Sequence, residues 1–154
     1  MARGSSRKPR PASIADPMLT FNTLSIGDLL PSRSYQASNV SLFLYNAAVW
    51  NAHRIHYDAP YATTVEKHPG VVIDGPLQGD WLTQIVTGWL GEDGTLLEFE
   101  YSNRRASYLG DTLTASGRIV ALDGATREVT IALEIRDQNG QITSPGKAVV
   151  RVAR

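Results

Sequence analysis

Residues 75–91 read Gly-Pro-Leu-Gln-Gly-Asp-Trp-Leu-Thr-Gln-Ile-Val-Thr-Gly-Trp-Leu-Gly. Within them Leu77, Trp81, Ile85 and Trp89 recur every four residues, and Leu82, Val86 and Leu90 fill the neighbouring row. That spacing predicts a helix from Leu77 to Leu90, apolar most of the way round and so wrapped by other structure. Gly75-Pro76 opens it, because proline is tolerated in a first turn, and Gly91 ends it.

Downstream the period changes from near four to two. Thr95–Asn103 alternates, with Leu97, Phe99 and Tyr101 on one side and Glu98 and Glu100 on the other. Asp111–Leu122 and Arg127–Arg136 follow, joined by a hairpin at Asp123-Gly124, and Asn139-Gly140 turns the chain into Lys147–Ala153. An antiparallel sheet that follows one buried helix gives the α+β class, with the sheet curled round the helix.

Upstream, Leu19–Leu30 breaks at Ile26-Gly27-Asp28, and Ser34–Ala37 suits a short strand. Ser38-Asn39 offers capping side chains to a helix over Val40–Trp50, with Leu42, Tyr45 and Ala48/Val49 on one face. Asn51–Asp58 has no clear period and reads as a loop, with Asp58 capping a short turn through Ala59-Pro60-Tyr61. His68-Pro69-Gly70 breaks the chain again before Val71-Val72-Ile73, a brief buried extended piece. Residues 1–17 form a basic tail (Arg3, Arg7, Lys8, Arg10) that is expected to be disordered, and 18–154 form one domain.

Composition narrows the function. Fifteen basic and fifteen acidic side chains balance to zero, so the basic stripe of a nucleic-acid binder is missing. No cysteine is present, which removes disulfides, thiolate nucleophiles and thiolate zinc sites and fits a reducing, cytoplasmic setting. No stretch reaches the ~20 apolar residues of a membrane span. P-loop, dinucleotide and Gly-x-Ser-x-Gly patterns are absent too.

Chemistry concentrates in Asn51-Ala52-His53-Arg54-Ile55-His56-Tyr57-Asp58, which holds two of the three histidines among polar neighbours. Imidazole titrates near ~6.5 and suits proton transfer at neutral pH. Laid on the pattern Asp-x-Asn-Pro-(Ile/Leu)-His, the first position falls on Asn51, the third on His53, the fourth on Arg54 and the last on His56. By this motif the chain resembles the MaoC-like, or R-specific enoyl-CoA hydratase, family of the hot-dog fold, in the variant of mesaconyl-CoA hydratase-like acyl dehydratases. Three further stretches agree: Val71–Gln78 with its glycine at the helix start, Arg104–Leu113 with Gly-Asp-Thr-Leu, and Phe21–Pro31. The resemblance runs from about Thr20 to Ala153.

The resemblance implies a hot-dog domain that hydrates an enoyl thioester or dehydrates a 3-hydroxyacyl thioester, carried on coenzyme A or an acyl carrier protein. It implies no metal and no bound cofactor. His56 would be the acid–base, Asn51 would position water in place of the usual aspartate, and the N–H of Gly75 at the helix start would face the oxyanion. Tyr57 and Pro76 would line the substrate site. His53 either supports the loop or enters the pocket, Asp74 either bonds backbone beside the pocket or faces solvent, and Asp58 is either a cap or an acid. Arg104 and Arg105 either hold carrier phosphates or form an exposed basic turn. A homodimer, or a heteromer with a second hot-dog domain, would complete the groove. A non-catalytic subunit and a thioesterase are the rival readings. Acyl group, carrier, direction and assembly are not written in the sequence.

Overall fold

A computed structural model describes residues 19–92 and 94–152; the N-terminal tail lies outside the described residues. The elements are β1 (Arg33–Tyr35), α1 (Asn39–Ala48), α2 (Ala59–Thr64), α3 (Gly75–Leu90), β2 (Thr95–Tyr101), β3 (Leu113–Asp123), β4 (Glu128–Arg136) and β5 (Ile142–Arg151). The five strands form one antiparallel sheet in the order β1-β3-β4-β5-β2. It curls round α3 in the α+β hot-dog arrangement.

Alternation puts Leu113, Ala115 and Ile119 of β3, Val129, Ile131, Leu133 and Ile135 of β4, and Ala148 and Val150 of β5 on the inner face, all buried. They meet Trp81, Leu82, Ile85, Val86 and Leu90 of α3 in one core. Tyr35 of β1 stacks flat on Trp81, with ring centroids 4.5 Å apart. At Gly79 a Cβ would lie 2.5 Å from the Tyr101 ring, so glycine lets α3 approach β2 closely. No described helix is long and apolar enough to cross a membrane.

Four details depart from the sequence reading. The sheet covers only one side of α3; Pro76, Asp80, Gln84, Thr87 and Gly88 form an exposed stripe. In β2 a register shift between Leu96 and Glu98 turns Leu96 inward beside Phe99 and Tyr101 and leaves Leu97 outside, because a bulge inverts the alternation that precedes it. The hairpin after Asp123 is a four-residue loop, 124–127, braced by Asp123 Oδ1 accepting from the N–H of Ala125 and Thr126. And α1 buries Leu42 and Asn46, while Val40, Phe43, Leu44, Ala48 and Val49 face out.

Candidate functional site

Three short pieces build the site: the C-terminus of α1, the turn at 54–56, and the extended run 71–74 that feeds α3. Ser38 and Ser41 cap the start of α1 reciprocally, each side chain bonding the other's backbone N–H. The helix ends with the N–H of Asn51 on the carbonyl of Asn46, at 2.9 Å, across Trp50, whose φ is +58°. This is a Schellman closure with tryptophan in the left-handed position that usually holds glycine.

Residues expected to be a plain loop instead make a 3-10 turn, Arg54–His56. Two backbone-anchored bonds tie it to the extended run. The N–H of Val72 donates to the Ile55 carbonyl at 3.0 Å, and His56 Nδ1 lies 2.8 Å from the Val72 carbonyl. A carbonyl only accepts, so Nδ1 carries a proton there and Nε2 is the ring nitrogen left to face the site. On its other side the run is held by the Ile73 N–H on Ser107 and the Leu109 N–H on Val71.

That Nε2 faces Asp74, with Oδ1 at 3.6 Å. The side chain of Asp74 is 0% exposed and that of His56 12%. Asn46 Nδ2 donates to Asp74 Oδ2 at 2.9 Å, and Asn51 Nδ2 to Oδ1 at 3.2 Å. So the choice the sequence leaves open for Asp74 resolves differently from both alternatives: it bonds two side-chain amides and is sealed from solvent. Asn51 is fully engaged, since its Oδ1 also accepts from the His53 N–H at 3.1 Å.

Asp74 is the N-cap residue of α3, yet its side chain caps nothing there. With the carboxylate turned toward the amides, the first N–H groups of a sixteen-residue helix have no side-chain acceptor, and the positive end of the helix dipole is left for a ligand's anionic oxygen. Gly75 starts that turn. A Cβ on it would collide with the Asn103 amide, whose Oδ1 lies 2.9 Å from the Ser144 hydroxyl.

The remaining residues sort themselves by position. His53 caps the 3-10 turn through Nδ1 on the Ile55 N–H, with its ring 5.9 Å from that of His56. Tyr57 donates to the Ala52 carbonyl and meets Phe43 edge-on. Asp58 is the cap of α2: it accepts from the Tyr61 N–H and pairs with Arg54, and the Tyr61 N–H first, then the guanidinium, hold its carboxyl below the usual range. Pro76 is exposed in the first turn of α3. Arg104 and Arg105 donate backbone N–H groups to Thr143 and leave their guanidinium groups in solvent, Arg104 in a shallow surface pocket with Lys147. The structure thus brings His56, Asn51, Asp74 and Gly75 together and leaves the two arginines exposed, next in the chain to Asn103.

Asn46 and Asn103 carry no signal in the sequence reading. A mid-helix asparagine on the inward face of α1 was the available clue to Asn46. Nearby, burial first and the Asp80 carboxylate second push the hydroxyls of Tyr45 and Tyr101 up, so both stay protonated donors at neutral pH.

A sequence profile described as hydroxyacyl-thioester dehydratase type 2 matches residues 19–109. Mesaconyl-C(4)-CoA hydratase of Chloroflexus aurantiacus is 58% identical over 36 residues, 23% of this chain and 13% of that protein. The mitochondrial hydroxyacyl-thioester dehydratase type 2 of Schizosaccharomyces pombe is 47% identical over 38 residues, 25% of this chain and 13% of that one. The match thus spans about an eighth of each curated relative. Among solved structures, an (R)-hydratase from A. caviae involved in PHA biosynthesis superposes with a TM-score of 0.78 at 21% identity, over 84% of this chain and 98% of its own. At that identity the likeness carries the fold.

Proposed function

The chain belongs to the hydroxyacyl-thioester dehydratase type 2 family, and on that premise we propose that it reversibly adds water across the α,β double bond of an acyl thioester. The observation that carries the reading is the set His56–Asp74–Gly75: an imidazole anchored through Nδ1 on a backbone carbonyl, with Nε2 3.6 Å from a carboxylate that stands next in the chain to the uncapped helix start.

In the hydration direction, His56 Nε2 takes a proton from water as its oxygen bonds to the β-carbon. The double-bond electrons move onto the thioester oxygen, which the N–H of Gly75 and the dipole of α3 stabilise as an enolate. The imidazolium then returns its proton to the α-carbon, so the elements of one water molecule are added and nothing is oxidised. Asp74 faces the imidazolium while it carries the extra proton. Asn51 holds Asp74 in place and steadies the turn that carries His56. Arg104 and Arg105 receive the carrier's phosphates, where arginine's forked donors match the geometry. Coenzyme A or a phosphopantetheine arm fits equally. A second hot-dog domain, as homodimer or heteromer, closes the other wall of the groove.

The test is loss of enoyl absorbance when purified protein meets butenoyl-CoA. His56→Ala lowers turnover by roughly 10²–10⁴-fold; undiminished turnover in that variant refutes the assignment. Asn51 at the family's aspartate position favours one second reading, a non-catalytic subunit. An inactive chain that becomes active only with a second hot-dog domain, and stays so after His56→Ala, supports it.

A further inference from the structure

The layer between α3 and β5 contains a buried polar group that the reaction above leaves unused. Gln78, one turn into α3, is 2% exposed, and it meets Thr143 at 2% and Ser144 at 0% on β5. Polar side chains sealed in a core cost free energy unless they bond one another, so three together need a reason. They converge on one exposed amide, that of Asn103. The backbone on both sides of Asn103 is fastened to β5, with the Ser102 N–H on the Pro145 carbonyl at 3.0 Å and the Arg104 N–H on that of Thr143 at 2.9 Å. Its side chain is held by the Ser144 hydroxyl, 2.9 Å from Oδ1. The nitrogen end points the other way. Asn103 Nδ2 is the side-chain atom nearest to where a Cβ on Gly75 would stand, and it has no acceptor among the described residues.

Counting hydrogens supports this orientation. The Ser144 hydroxyl has a single hydrogen, yet it lies 2.9 Å from both Asn103 Oδ1 and Gln78 Oε1. The Thr143 hydroxyl likewise stands between the Ile135 carbonyl at 3.3 Å and Gln78 Oε1 at 3.5 Å. Turning the Gln78 amide end for end resolves both conflicts at once. Its NH2 then donates to Ser144 and Thr143, which give their own hydrogens to Asn103 Oδ1 and the Ile135 carbonyl. Turning Asn103 instead resolves only the first. The Asn103 NH2 is therefore the free end of a donor chain that starts inside α3 and finishes at the first residue of the same helix.

We propose that Asn103 is a catalytic residue, its Nδ2 giving the thioester oxygen a second hydrogen-bond donor beside the N–H of Gly75, and that Ser144 and Gln78 are the residues that position it. The proposal rests on the hydration reading above and adds a side chain to it. No bond forms or breaks at Asn103. Its donation strengthens as charge gathers on the oxygen, and the chain from Gln78 through Ser144 keeps the amide aimed before a substrate arrives.

Two measurements test it together: hydration of butenoyl-CoA, and the infrared carbonyl stretch of bound butanoyl-CoA, which has no double bond to hydrate. Asn103→Ala lowers kcat by roughly 100-fold with little change in KM, the mark of a donor used in the transition state. The carbonyl stretch, lowered by binding to the native chain, returns part of the way to its solution value in that variant. Asn103→Asp loses at least as much turnover, while its melting temperature does not fall, because a negative charge suits a helix start. Ser144→Ala lowers kcat by about tenfold and adds nothing further on top of Asn103→Ala, since it acts through that amide. Undiminished turnover or an unmoved stretch in Asn103→Ala overturns the proposal, and so does full additivity of the Asn103→Ala and Ser144→Ala losses. A native chain that leaves butenoyl-CoA unchanged, with a stretch that still shifts on binding and relaxes in Asn103→Ala, counts against the proposed reaction and supports Asn103 as a donor to the thioester oxygen.

Discussion

Replacing Asp74 by alanine should cost more stability than any single change on the surface of this domain. The carboxylate accepts from Asn46 Nδ2 at 2.9 Å and Asn51 Nδ2 at 3.2 Å, and it is fully sealed. Truncation strands both donors. A buried donor left without a partner costs about 1–3 kcal/mol, with Asn46 toward the upper end and the half-buried Asn51 toward the lower. The expected loss is about 2–5 kcal/mol, or roughly 6–20 °C in melting temperature for a domain of this size. Asp74→Asn keeps the shape and one acceptor. Its amide nitrogen, placed at the Oδ1 position, opposes Asn51 Nδ2 and lies 3.6 Å from His56 Nε2, too far for a hydrogen bond. One donor is stranded where the alanine variant strands two, so roughly half the cost is expected. Urea titrations followed by tryptophan emission, with the slope checked for constancy, measure both. A loss below about 0.5 kcal/mol for the alanine variant, or equal losses for the two variants, refutes the amide clasp on which the site geometry depends.

Two further outcomes follow. Gly75→Ala places a methyl group on the Asn103 amide; enoyl hydration falls by roughly 10–100-fold, while urea stability changes by less than about 1 kcal/mol because alanine favours the helix that displaced Asn103 disturbs. Asp58→Ala tests the cap of α2 through its pH dependence. The folded-state pKa of Asp58 lies below 3.8, so its contribution is full above that value and fades as pH falls through the folded pKa. The urea-midpoint gap between the native chain and Asp58→Ala is therefore wide at neutral pH and narrow in strong acid, and a constant gap would show that the cap is uncharged in its effect.

Burial decided what the sequence could reveal. The four-residue recurrence of Leu77, Trp81, Ile85 and Trp89 and the two-residue alternation of the strands are direct imprints of one-sided packing, so the architecture was readable. A bulge inverts such a pattern without leaving a compositional mark, which is why Leu97, not Leu96, looked inward. In α1 the face read from the sequence holds at Leu42, which is buried, and at Tyr45, which is half-buried, and fails at Ala48 and Val49, which are exposed, because periodicity does not say how far along a helix the core extends. His56 and Gly75 are singled out in the sequence by the likeness of two short motifs to a known family, and the fold sets them on either side of Asp74. Asp74 was named beside the pocket, but its partner Asn46 was not legible, because their meeting depends on a contact between residues 28 positions apart. Asn103 was hidden for the same reason.

The paired bonds that stitch the 54–56 turn to Val72 also bear on motion. His56 is fastened through the peptide group only two positions ahead of Asp74, so imidazole, carboxylate and helix start travel as a single stiff unit. The C-terminal end of α1 belongs to the same unit, because Asn46 and Asn51 clasp it to that carboxylate. In the proposed reaction these groups meet a thioester already aligned, with little orientational entropy left to lose.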